Sequence, residues 1–159
     1  MTSDHSKLLE IIVTCSDSAK LNNWISNAMR EGATDVEDAA RRRLIEISAA
    51  SNGDDSTDEM VIDFWKSITA LEFALSDERG KTIRLSRTRQ KITRVGVQKT
   101  LADLTLQPKP SEGYFLLQDR DMLDMSAEAV VLRFANRFEP DVVRAAQHRL
   151  GEDGFSLGS

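Results

Sequence analysis

Apolar residues recur along most of this chain at intervals of three and four, the period of an amphipathic helix. Across residues 18–31, Leu21, Trp24, Ile25, Ala28 and Met29 share one face, and Gly32 follows as a left-handed stop. Thr34 with Glu37 three positions on reads as a capping box. It opens a helix with Val36, Ala40, Leu44 and Ile47 inward and Arg41, Arg42 and Arg43 around its rim. The segment SNGDDSTD (51–58) is acidic and rich in turn formers, and Ser56 with Glu59 makes a second capping-box candidate. The longest apolar pattern comes next, EMVIDFWKSITALEFALSDE. Met60, Val61, Phe64, Trp65, Ile68, Leu71 and Leu75 cover most of its circumference, which predicts a central core helix over about 58–78, ended by Gly80.

A basic helix is expected at about 81–95, stopping at Gly96, and a short one at 98–106 carrying Leu101, Leu104 and Leu106. The QPKP stretch (107–110) breaks the pattern, because proline removes a donor and restricts the residue before it. Ser111 is placed to cap a helix running to about Arg120, with Tyr114, Leu117 and Phe115 as inward candidates. Ser126 caps another, with Val130, Val131 and Phe134, and Pro140 sits in the first turn of the last, with Val142, Val143, Ala146 and Leu150. Only EIIVTC (10–15) has β-branched strand character, and a lone strand has no partner.

These elements predict an all-α fold: a compact bundle of about seven to eight short helices around the 58–78 helix. Residues 1–17 read as an N-terminal segment, 18–150 as one helical domain with possible subdomains 18–79 and 80–150, and 151–159 as a flexible tail. At 159 residues the chain can bury a sizeable core without metal or disulfide. Its single cysteine, Cys15, excludes an intramolecular disulfide and fits a reducing compartment. No apolar run reaches the roughly 20 residues that span a bilayer, and the N-terminus lacks a signal peptide's basic start. A cytoplasmic protein without a membrane partner is expected.

Charge changes the picture in one place. The net charge is −5, yet residues 80–100 hold seven basic side chains and no acidic one. Residues 1–79 hold 16 acidic and 8 basic, and 101–159 hold 10 and 6. As a helix, KTIRLSRTRQKITRVGVQK puts Arg84, Arg87, Lys91 and Arg94 on one stripe, beside Leu85, Thr88, Ile92 and Val95. A row of cations on a helix with one buried flank suits a phosphate backbone, an acidic partner or solvent. For nucleic acid, Arg84, Arg87, Lys91 and Arg94 would meet phosphates, while Ser86, Arg89 or Gln90 would reach base edges, and Lys99 belongs to the same candidate binding set. The short flanking helices with Gly96 between them permit a helix-turn-helix arrangement. On this view, reversing Arg87 and Lys91 to glutamate should abolish binding.

Other chemistry is poorly supplied. His5 and His148 are the only histidines, and with one cysteine no zinc set can be assembled; no metal or cofactor is expected. The acidic loop Asp54, Asp55, Asp58 and Glu59 lacks the alternation of a calcium loop. Cys15 lies in an apolar stretch without an assignable partner and reads as a small buried residue. No G-x-S-x-G turn, phosphate loop or dinucleotide fingerprint is present. No catalytic residue is assigned, and a non-enzymatic protein is expected. The aromatics, Trp24, Phe64, Trp65, Phe73, Tyr114, Phe115, Phe134 and Phe138, read as core packing.

Residues FWKSITALE, RLSRTRQKITRVGVQKTLADL, SEGYFLLQDRDMLDMSAEAVVLRF and FEPDVVRAAQHRL together resemble a family of small uncharacterised alphaproteobacterial proteins, over about residues 24–150. The resemblance implies a bacterial cytosolic protein and brings no activity or site residue. The leading functional expectation is a non-enzymatic bacterial regulatory protein that contacts nucleic acid through the basic 81–99 segment. The rival is a protein-interaction module, an adaptor or homo-oligomer, whose basic helix meets an acidic protein partner. An uninterrupted positive surface favours the first; apolar residues at the centre of that surface favour the second.

Overall fold

A computed structural model describes residues 5–52 and 58–153, and among these it is all-helical, with nine α-helices, two single 3-10 turns and no strand. The chain divides into two units, Met1–Asp54 and Asp55–Ser159. The division falls in the acidic turn segment and not at 79/80. The core helix and the basic segment therefore share a unit, in which the basic helix packs on the helix that follows it. Residues Asp54, Asp55 and Ser56, and 154–159 of the expected tail, lie outside the described residues.

The first unit contains α1 (Ser6–Thr14), α2 (Ser18–Glu31) and α3 (Thr34–Asn52). Strand character in EIIVTC does not prevail: Ser6–Thr14 is a helix packed on α3. A helix satisfies its backbone within itself, whereas an isolated strand would leave donors and acceptors unpaired. Asp17 caps α2, accepting from the Ala19 and Lys20 amides at 3.0 and 3.3 Å. Gly32 closes the helix at φ 72°, a conformation that costs glycine no steric strain. The Thr34 box does not form. Thr34 is already helical, and Glu37 turns along the helix to Arg41 Nε at 3.1 Å. Leu21, Ile25, Ala28, Val36, Ala40, Leu44, Ile45 and Ala49 are buried; Met29, expected inward, is exposed, and its Sδ accepts from Arg41. Arg43 Nε donates to the Cys15 carbonyl at 2.8 Å, tying α3 to the chain between α1 and α2. Cys15 is half-buried, its Sγ held by the Asp17 amide.

The second unit contains α4 (Glu59–Arg79), α5 (Ser86–Val95), α6 (Val97–Leu106), α7 (Glu112–Asp119), α8 (Ala127–Arg133) and α9 (Pro140–Glu152). Asp58 caps α4 through the Met60 amide at 2.9 Å, in the place expected for Ser56. The long helix contacts α6, α7 and α8, and Met60, Phe64 and Ile68 join Leu101, Val130, Val131, Val142 and Ala146 in one buried cluster. Each of these side chains except Ala146 contributes about 1.5–3 kcal/mol by leaving water. Ser111 and Ser126 cap α7 and α8 as expected, accepting from the Tyr114 and Ala129 amides at 3.2 Å. Along α7, Tyr114 and Leu117 face inward three residues apart, which turns Phe115 out to solvent. No helix among the described residues is long and apolar enough to cross a membrane.

Candidate functional site

The basic segment is built differently from one continuous helix. Residues 82–85 lie outside any helix, and α5 begins only at Ser86. Two α4 side chains hold this strap. Ser76 Oγ accepts from the Ile83 amide at 2.8 Å, and Glu72 Oε2 accepts from the Leu85 amide at the same distance. Glu72 thereby caps α5 from another helix, placing a carboxylate where the positive end of the helix dipole favours one. Arg84 consequently sits on the strap and leaves the helical stripe expected for it.

The same carboxylate fixes Arg89. Its Nε donates to Glu72 Oε2 at 2.7 Å and its Nη2 to Oε1 at 2.6 Å, a bidentate pair. Glu72 is buried, and the guanidinium also lies 5.3 Å from the centroid of the Trp65 ring. Facing Glu72 raises the Arg89 pKa further above an already high value. Arg89, offered by the sequence as a base reader, therefore spends its donors inside the unit and positions α5.

Lys91 and Lys99 are also engaged. Both reach Asp103 on α6, at 2.6 and 3.1 Å, and their ammonium groups, Lys91 first, hold its carboxyl below the usual carboxylate range. Four cations remain without an ion-pair partner among the described residues: Lys81, Arg84, Arg87 and Arg94, all exposed. On α5 the exposed positions are Ser86, Arg87, Gln90, Thr93, Arg94 and, at the end, Val95. Up to Thr93 and Arg94 that face is wholly polar and carries no acid.

The junction between α5 and α6 is Gly96 alone, at φ 90° and ψ 168°. That is shorter than the roughly three- to four-residue turn of a helix-turn-helix, so the arrangement permitted by the sequence is not formed. Thr100 Oγ1 bonds the Gly96 carbonyl at 2.7 Å, and Gln98 Nε2 donates to the Arg137 carbonyl at 2.6 Å. Glu72, Ser76 and Asp103, which decide the cations' fates, were missed in the sequence. A lone glutamate within the apolar run TALEFAL was the one visible signal of a buried partner.

The chain matches no protein-family model, no curated protein and no solved structure.

Proposed function

We propose that this protein is a non-enzymatic, regulatory binding protein that docks on nucleic acid through α5 and the strap before it. The observation that carries this is the exposed face of Arg87, Gln90, Thr93 and Arg94, which holds cations and hydrogen-bonding groups with no acid and no central apolar residue. Arg84 and Lys81 extend the positive surface along the strap. Phosphates would be met by Lys81, Arg84, Arg87 and Arg94, with Gln90 between the two α5 arginines free to address a base edge. The glutamate reversal is better made at Arg87 and Arg94, since Lys91 already faces Asp103.

The test is fluorescence anisotropy of labelled duplex and single-stranded DNA at about 50 and 200 mM salt. Four phosphate contacts give a log–log slope of about −3.6 on duplex, a loss of about 150-fold between those conditions. The double variant R87E/R94E should lose binding at both. Absence of binding at the lower salt, or undiminished binding by R87E/R94E, would overturn the proposal.

An acidic protein partner is the second proposal, favoured by Val95 and Leu106, which are 41% and 46% exposed beside the Lys99–Asp103 pair. Its contact would lie at that end of α5, so substituting both apolar residues would weaken it and leave DNA binding intact.

A further inference from the structure

The second unit encloses a cavity of about 460 Å³, within the range of about 300–1,000 Å³ typical of small-molecule sites. Ile68, Leu71 and Leu75 of α4 give it an apolar wall, and buried Tyr114 and Glu128 line it from α7 and α8. Arg84 and Arg87 stand at its exposed mouth.

Glu128 is the feature that calls for a ligand. It is only 5% exposed, and its Oε2 accepts no hydrogen bond. Arg149 Nη1 is 3.7 Å away, too far to donate, while Nη2 of the same guanidinium is given to the Gln107 carbonyl. Tyr114 cannot serve, because its hydroxyl donates to Asp153 Oδ2 at 2.6 Å. Burial pushes the Glu128 carboxyl above its ordinary range, as expected of an under-satisfied group. Buried polar atoms in folded proteins nearly always have partners; of the two exceptions among the described residues, Ser67 Oγ and Glu128 Oε2, the second belongs to a residue that lines this mainly apolar cavity. The charge around that space selects among donors. Arg79, Arg84, Arg87 and Arg149 outnumber Glu112 and Glu128, which disfavours a cationic ligand.

We propose that this cavity binds a small uncharged or singly anionic molecule with an aliphatic or aromatic body and a hydroxyl or amide N–H that donates to Glu128. An anionic group, where present, would lie at the mouth against Arg84 and Arg87. The contact with Glu128 does not rest on nucleic-acid binding, but an anionic group at the mouth would compete with phosphate for Arg84 and Arg87.

The test is a heteronuclear NMR titration of the full chain with 4-propylphenol, and with propylbenzene as the analogue lacking the donor. The phenol should bind saturably at one site, shifting amides of α4, α7 and α8, and at least about tenfold more tightly than propylbenzene, the scale of a hydrogen bond to a charged group. Glu128→Leu should erase that preference, whereas Glu128→Gln, which keeps a carbonyl acceptor, should retain part of it. Thr88→Trp, a partly exposed mouth position, should block both compounds. The proposal fails if wild-type protein shows no saturable shifts or no preference for the phenol. It fails equally if Thr88→Trp binds as wild type does. Should Glu128→Leu not fold, the wild-type preference and the Thr88→Trp result decide.

Discussion

Replacing Glu72 with alanine is the sharpest perturbation of the way α5 is held. Three donors converge on this one carboxylate: the Leu85 amide at 2.8 Å and Arg89 Nε and Nη2 at 2.7 and 2.6 Å. Its side chain is 9% exposed and that of Arg89 is 22% exposed, so solvent cannot fully replace the lost acceptor. Breaking one partner of a buried pair costs about 3–5 kcal/mol. The partial exposure of Arg89 puts Glu72→Ala at about 3 kcal/mol. Arg89→Ala should cost a similar amount by stranding the carboxylate, and the double variant should fall short of the sum by at least about 1 kcal/mol. Urea unfolding followed by Trp65 fluorescence measures this, in a Trp24→Phe background so that the signal comes from the ring beneath Arg89. A cost below about 1 kcal/mol for Glu72→Ala, or strict additivity in the cycle, would refute the claim that this pair anchors α5.

Asp103→Asn should release both Lys91 and Lys99 towards solvent and tighten DNA binding, steepening the log–log salt slope from about −3.6 towards about −5.4 in the anisotropy assay. Glu128, whose carboxyl burial raises, binds its proton more tightly folded than unfolded. That contribution to stability is therefore full below about pH 4.3 and is lost as pH rises through the folded value. Glu128→Gln should accordingly gain stability relative to wild type as pH rises in denaturation series, with the advantage vanishing at acid pH. Asp17→Ala removes the cap on the Ala19 and Lys20 amides and should cost about 1 kcal/mol in urea unfolding followed by circular dichroism.

Helix ends were the most legible part of this chain, because their chemistry is local. Gly32 and Gly80 take the left-handed conformation that their positions demanded, Ser111 and Ser126 cap as read, and Pro140 starts α9. What depended on distant residues was not legible. The β-branched Ile11, Ile12 and Val13 suggested a strand, but packing against α3 outweighs a propensity of tenths of a kcal/mol. Arg84 continued the helical period in sequence, yet Ser76 and Glu72 bind the Ile83 and Leu85 amides and hold the chain out of the helix there. The cations of 81–99 looked equivalent because periodicity reports angle and not partners. Three of them meet carboxylates at positions 72 and 103, one on the buried side of α4 and one on the next helix.

The chemistry of the unpaired row has a consequence for how its grip can be regulated. Lys81, Arg84, Arg87 and Arg94 face no carboxylate among the described residues, and no histidine lies between His5 and His148 in the sequence. Asp103, which with Glu72 subtracts from this region, has its carboxyl held below the usual carboxylate range by two ammonium groups. On the proposed reading, the hold of α5 on a polyanion would be set by ionic strength and by anything that competes with Lys91 and Lys99 for Asp103, so that this one carboxylate works as a store of two further cations.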